Sequence, residues 1–276
     1  MFIFALKTCS MTIRQWIKER EIVGKTTFSI DDIRKAFSKT SDSVISSELS
    51  RLSRQGLIQL VYKGFYTVVP IQYQARGIVP PLYYIDQLMT YLKKPYYISL
   101  LSAAELNGAA HQRPQRFSVT STIPSLNTSR NKIIVWSFRR KIYNDMLLQK
   151  NSETGSISYS SPELTAADIV QYEEQIGGLS QAATVLSELL DVTDFKRHFD
   201  SLYEMETIAS LQRLGYIIED VLKNKEQADT LFHSLRGKTK RLNYTALTSR
   251  QAVRKDYPRN ERWKIIINQE IETDDI

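Results

Sequence analysis

The stretch SIDDIRKAFSKTSDSVISSELSRLSRQG, residues 29–56, reads as two helices joined by a polar turn. Ser29 followed three residues later by Asp32 resembles a capping box, in which each residue's side chain meets the other's backbone amide. The apolar stripe Ile30, Ile33, Ala36 and Phe37 then recurs at helical spacing. Ser38-Lys39-Thr40-Ser41 is polar and made of weak helix formers, so it is the turn. A longer helix follows from about Asp42 to Gln55 and buries Ile45, Leu49 and Leu52, with Gly56 placed for a left-handed cap.

Upstream, Ile13, Trp16 and Ile17 share one helical face, opposite Arg14, Lys18, Glu19 and Arg20. Downstream, Leu57–Val61 and Phe65–Val69 are β-rich runs around Tyr62-Lys63-Gly64, a hairpin with Lys63 at its tip. Three helices and a hairpin in this order make residues 12–69 a helix-turn-helix with a β-wing. The face of the long helix turned from the core carries Ser43, Ser46, Ser47, Ser50, Arg51 and Arg54. Short hydroxyl side chains admit close approach of DNA, and the helix N-terminus attracts phosphate. The expected DNA-binding set is therefore Lys39, Ser41, Ser43, Ser46, Ser47, Ser50, Arg51, Arg54 and Lys63, with Lys39, Arg54 and Lys63 on phosphates. The same pattern also suits a small protein-contact domain with a solvated serine face.

Charge separates this head from the rest. Residues 1–80 hold 12 Lys+Arg against 6 Asp+Glu, whereas residues 81–276 hold 25 against 24. The head has the electrostatic footprint of a nucleic-acid module and the remainder is nearly neutral. At 276 residues the chain suits two domains, expected at 1–80 (with 1–10 a tail) and 81–276. One cysteine, Cys9, excludes a disulfide framework or a cysteine-rich metal site. The opening Met1–Leu6 is apolar, but it is too short for a secretory core, and Met11 stands as an alternative start. No stretch approaches the ~18 apolar residues of a membrane span, so a cytoplasmic location is expected.

Pro70 and Pro80-Pro81 punctuate the inter-domain connection. Beyond it, Tyr83–Leu92 and Ile98–Asn107 read as helices, the second ended by Gly108. Arg116–Ser121, Lys132–Phe138 and, more weakly, Ser156–Ser160 read as strands. Helices are expected over 162–175, 179–190, 194–202, 204–222 (with Gly215 placed to end or bend it) and 226–236, then a last strand over Trp263–Ile267. The fold class expected is α+β: an N-terminal winged helix-turn-helix plus a larger, helix-rich mixed α/β C-terminal domain.

Catalytic patterns are lacking. His111, His198 and His233 stand far apart in sequence and read as structural or solvated, and Gly177-Gly178 fits an inter-helix turn rather than a phosphate loop. No G-x-S-x-G elbow occurs. Glu173-Glu174 and Asp274-Asp275 read as solvated carboxylate pairs. No catalytic residues, metal or cofactor are therefore expected. Arg139-Arg140-Lys141 and the basic runs 236–241 and 250–264 either extend a DNA contact or are ordinary surface. Tyr83, Tyr84, Tyr91, Tyr96 and Tyr97 fit core or interface packing better than base stacking.

Leu49-Ser50-Arg51-Leu52, Gly56-Leu57-Ile58 and Lys63-Gly64-Phe65-Tyr66 resemble the winged helix of AbiEi-type antitoxins. The resemblance continues through Tyr96–Ala104 and His111-Gln112-Arg113-Pro114-Gln115 and ends with Arg262–Asn268. It implies the antitoxin half of a bacterial type IV abortive-infection system, a phage defence. Such an antitoxin represses its own operon by binding upstream inverted repeats through its winged helix. Its larger domain opposes a cognate nucleotidyltransferase toxin without a stable complex. Read from residues alone, a winged-helix regulator whose second domain senses a ligand or partner stays open beside this, as does a nucleic-acid enzyme with a targeting head.

Overall fold

The computed structural model describes residues 11–109, 114–123 and 133–272. The 1–10 tail with Cys9, the His111-Gln112-Arg113 part of the resemblance, Lys132 and Asp274-Asp275 lie outside the described residues. The chain is mixed α and β and packs as two compact units, the first running to Lys93 and including Asn151–Ser156, the second taking the remainder.

In the first unit α1 (Ile13–Ile22) starts with Thr12 and Gln15 in a reciprocal capping box. A short strand, β1 (Thr27–Ser29), leads into α2 (Ile30–Ala36). Here the Ser29–Asp32 box is formed, with the Ser29 amide donating to Asp32 at 2.8 Å and the Asp32 amide to the Ser29 hydroxyl at 3.1 Å. Then come α3 (Asp42–Arg54), β2 (Ile58–Tyr62) and β3 (Phe65–Val68), the last two joined through Lys63-Gly64. Gly64 at φ +72° makes the turn, and its carbonyl accepts from the Ile30 amide at 2.7 Å, tying the hairpin to the start of α2. Gly56 has the expected left-handed conformation, φ +69°.

β1 was not expected from the sequence. It pairs antiparallel with β3, giving a sheet of order β1-β3-β2. Ile13, Ile17, Phe28, Ile33, Ile45, Leu49, Leu52, Ile58 and Val68 form the core beneath it. Burying each of the larger aliphatic side chains is worth about 1.5–3 kcal/mol. Phe28 stacks on Tyr66 at 5.5 Å and meets the edge of Trp16 at 5.9 Å, so β1 is held by its ring as well as its ladder. Ala36, expected in the α2 stripe, is exposed because the helix stops there. A short helix α4 (Ile71–Gln74), a 3-10 turn at Pro81–Tyr83 and α5 (Ile85–Leu92) complete this unit.

The second unit is built on a five-stranded sheet of order β6-β5-β4-β8-β7. Its strands are β4 (Tyr96–Ile98), β5 (Phe117–Ser121), β6 (Ile134–Phe138), β7 (Leu147–Ser152) and β8 (Gly155–Ser160). β4 corrects the expected helix over 98–107, which begins only at Leu100 as α6 (Leu100–Leu106). All three residues of β4 are buried, so they show no alternation that would mark a strand. β7 was missed because Gln149-Lys150-Asn151 is a polar edge stretch.

The helices are α7 (Pro162–Gln171), α8 (Glu173–Ile176), α9 (Leu179–Leu189), α10 (Phe199–Met205), α11 (Ile208–Tyr216) and α12 (Lys225–Lys238). Gly177 and Gly178, at φ +106° and +104°, turn the chain between α8 and α9 as expected. A π-turn, Ile217–Val221, follows α11 directly. Gly215 does not break the helix: a Cβ there would overlap the indole ring of Trp263, so glycine lets that ring lie on the backbone. Trp263 is fully buried, and its ring nitrogen donates to Glu219 at 2.6 Å. The expected last strand shrinks to β11 (Ile265–Ile266), paired with β9 (Thr245–Ala246) and β10 (Arg259–Asn260).

Candidate functional site

On α3 the buried residues Ile45, Leu49 and Leu52 point one way. Ser43, Ser47, Ser50 and Arg54 recur at i, i+4, i+7 and i+11 on the opposite side, and all four are exposed. Ser46 is exposed beside this stripe. Ser41 is the N-cap residue of α3 but makes no side-chain cap bond. Lys39 sits exposed in the turn before it, and Lys63 is exposed at the hairpin tip.

Two arginines are committed to neighbours. Arg51 pairs with Glu48, its Nη2 2.5 Å and its Nε 2.8 Å from the two carboxylate oxygens. Those hydrogen bonds raise the Arg51 guanidinium above its ordinary value and lower the Glu48 carboxyl. Arg34 bridges Asp31 and Asp42, each at 3.0 Å, clasping the turn between α2 and α3. Among the described residues Arg54 makes only a long 3.4 Å contact to the Ser50 carbonyl, so of the two arginines on α3 it is the one with more freedom to reach a phosphate. Arg14 was not singled out by sequence. It is exposed on α1 and near enough to Glu48 to favour its charged form, which places a further cation beside α3. Only the packing of α1 on α3 reveals this.

The second unit holds a charged group of another kind. Arg139, expected either on a DNA contact or on ordinary surface, is buried. Its Nη2 donates to Asp168 at 2.5 Å and also to Glu206, its Nη1 to the Met205 carbonyl, and its Nε to the Tyr97 hydroxyl at 2.8 Å. Tyr97 in turn donates to Asp168 at 3.0 Å. Burial works against the Arg139 charge, but Asp168 and Glu206 outweigh it and hold the guanidinium above its ordinary value. Burial raises the Tyr97 hydroxyl, reinforced by Asp168. Arg140 and Lys141, by contrast, are exposed.

Other sequence readings are corrected or refined. Glu173 is not solvated: it is buried and accepts from the Thr248 hydroxyl at 2.8 Å, while Glu174 is exposed near Arg250. In the basic C-terminal region, Lys238, Arg250, Arg262 and Lys264 each face an acidic partner, which favours ordinary surface. Tyr84, Tyr96 and Tyr97 are buried, and Tyr91 packs on Phe65 at 5.1 Å, as the packing reading requires. His198 lies 3.4 Å from Asp145 and His233 contacts the Asp229 carbonyl; both are exposed.

Residues 97–220, which carry the Tyr97–Arg139–Asp168–Glu206 cluster, match the family model of the AbiEi antitoxin C-terminal domain. Over that span the chain is an AbiEi-type antitoxin domain. The match supports an antitoxin role and suggests a non-enzymatic regulator. The whole chain is also similar to the crystal structure of the RV2827C protein from Mycobacterium tuberculosis. The two share a TM-score of 0.65 and 14% identity, over 91% of this chain and 89% of that one. At that identity the likeness concerns the fold, and it extends across both units. No curated protein matches in sequence. No helix among the described residues is long and apolar enough to cross a membrane.

Proposed function

We propose that this AbiEi-type antitoxin is a type IV antitoxin and autorepressor, acting in the cytoplasm. Its amino-terminal region, 1–80, is a winged helix-turn-helix that binds inverted repeats in double-stranded operator DNA upstream of its own operon. Its larger domain, 81–276, neutralises a cognate nucleotidyltransferase toxin without a stable complex. The observation that carries the DNA-binding reading is the exposed Ser43–Ser47–Ser50–Arg54 stripe on α3, backed by a closed apolar core. The element order α1-β1-α2-α3-β2-β3 supports the winged-helix assignment. Small hydroxyls on α3 let its backbone approach the major groove, with Arg51 reading a base edge after exchanging Glu48 for guanine. Arg54, Lys39 and Lys63 neutralise phosphates. The antitoxin role rests on the family match over residues 97–220.

The test uses the full chain. Replacing Arg51 and Arg54 by Ala weakens operator binding and flattens the dependence of log K on log salt by about one unit for each phosphate no longer neutralised. An unchanged salt slope in a gel-shift titration removes these residues from the interface. Co-expressed with the neighbouring toxin, the same double variant still rescues growth, because neutralisation belongs to the other domain. Loss of rescue in a well-folded variant would overturn that division of labour.

A further inference from the structure

Arg139, Asp168, Glu206 and Tyr97 bring one cation and two carboxylates into an interior where the carboxylate side chains have no solvent exposure. With both acids ionised the cluster carries a surplus negative charge, which a dry site does not tolerate. The hydrogen bonds show where the surplus lies. Both oxygens of Asp168 are occupied, Oδ1 by Arg139 and Oδ2 by Tyr97. Glu206 receives Arg139 on Oε1, while its Oε2 is buried with no partner among the described residues. The hydroxyl of Ser210, four residues on and fully buried, lies close enough to Glu206 to favour its charged form, but not in strict hydrogen-bond geometry.

We propose that Glu206 holds a proton on Oε2 at neutral pH, and that losing it in mildly alkaline solution loosens the second unit, making the cluster a pH-sensitive latch. The proton cancels the surplus charge and gives Oε2, which has no partner in hydrogen-bond geometry, a donor role toward the Ser210 hydroxyl. Every neighbouring element contributes to the balance: Tyr97 from β4, Arg139 after β6, Asp168 from α7 with Tyr172 just beyond it, and Ser210 from α11. Burial is the main cause that pushes the Glu206 carboxyl up to about 8; Arg139 and, less strongly, the Ser210 hydroxyl oppose it, and Asp168 adds to it. The latch joins the sheet to the α10–α11 corner, because Arg139 also holds the Met205 carbonyl there.

The sign of the effect is fixed by linkage. In the unfolded chain a glutamate titrates near ~4.3, so between that value and about 8 the folded state binds a proton that the unfolded state lacks. Stability from Glu206 is full below that window, falls as pH rises through it, and levels off above it. The experiment is chemical denaturation of the full chain from pH 5 to pH 9, wild type against Glu206→Gln. The wild-type unfolding constant should rise by up to about tenfold per pH unit relative to the variant, until the curves run parallel above about pH 8. Parallel curves throughout would overturn the proposal.

Infrared spectroscopy of the folded wild type decides the matter even if Glu206→Gln fails to fold. A protonated-carboxyl stretch present at pH 7 and fading across about pH 8 supports the latch. Its absence at pH 7, with potassium or sodium ions altering stability instead, would show that a bound cation supplies the missing charge. A stretch that persists in folded Glu206→Gln would assign the proton to another carboxyl group and equally refute it.

Discussion

Arg51 on α3 and Arg139 in the second unit each hold carboxylate partners, yet one lies in water and the other away from it. The Arg51 side chain is 45% exposed and grips a residue three positions away, whereas Arg139 is 7% exposed and grips acids 29 and 67 positions away. An exposed pair adds roughly 0.2–1 kcal/mol and exchanges partners readily. Removing one member of a buried pair strands the others and costs about 3–5 kcal/mol. The same residue type is therefore free to exchange partners in the first unit and is architecture in the second.

The largest expected effect breaks the buried side of this contrast. Arg139→Met leaves Asp168 and Glu206 facing each other without a cation and destabilises the second unit by about 3–5 kcal/mol in urea denaturation. A loss under 1 kcal/mol would mean the acids are already neutral. Gly215→Ala comes next, at about 1–3 kcal/mol, because the new methyl would overlap the fully buried indole of Trp263. Near-ultraviolet circular dichroism should register the displaced ring. On the exposed side, Glu48→Ala frees Arg51 and tightens operator binding by a few-fold, with a steeper salt dependence. Weaker binding would show that the pair holds Arg51 in its reading position. The smallest effect is expected for Ser29→Ala, which removes the α2 cap and lowers stability by about 1 kcal/mol in thermal melts. DNA affinity measured well below the melting temperature should then stay unchanged.

The sequence made the first unit legible because its signals are local. Capping at Ser29, the i, i+4, i+7 spacing of Ile45, Leu49 and Leu52, and the Lys63-Gly64 turn each lie within a dozen residues. β1 escaped because three residues carry no readable period. In the second unit the helices over 162–171, 179–189 and 225–238 were readable for the same local reason. The Tyr97–Arg139–Asp168–Glu206 cluster was not, since its members come from four elements and look ordinary one at a time. Arg139 stands in a basic run whose next two residues are exposed, and that neighbourhood concealed its burial. Glu173 was hidden likewise, its partner Thr248 being 75 residues distant.

Trp263 has a consequence for the order in which the protein takes shape. It lies beyond the 97–220 span of the family match, yet its ring closes the surface of α11 at Gly215, and Gln212 donates to its carbonyl at 2.6 Å. Helices α1–α3 and their hairpin complete a core from residues 13–68 alone. Domains form largely as units while the chain is being made, earlier ones first. The head can thus close early in synthesis, whereas the antitoxin domain waits for a tryptophan added late. During that interval a nascent chain would hold a finished α3 beside an unfinished second core.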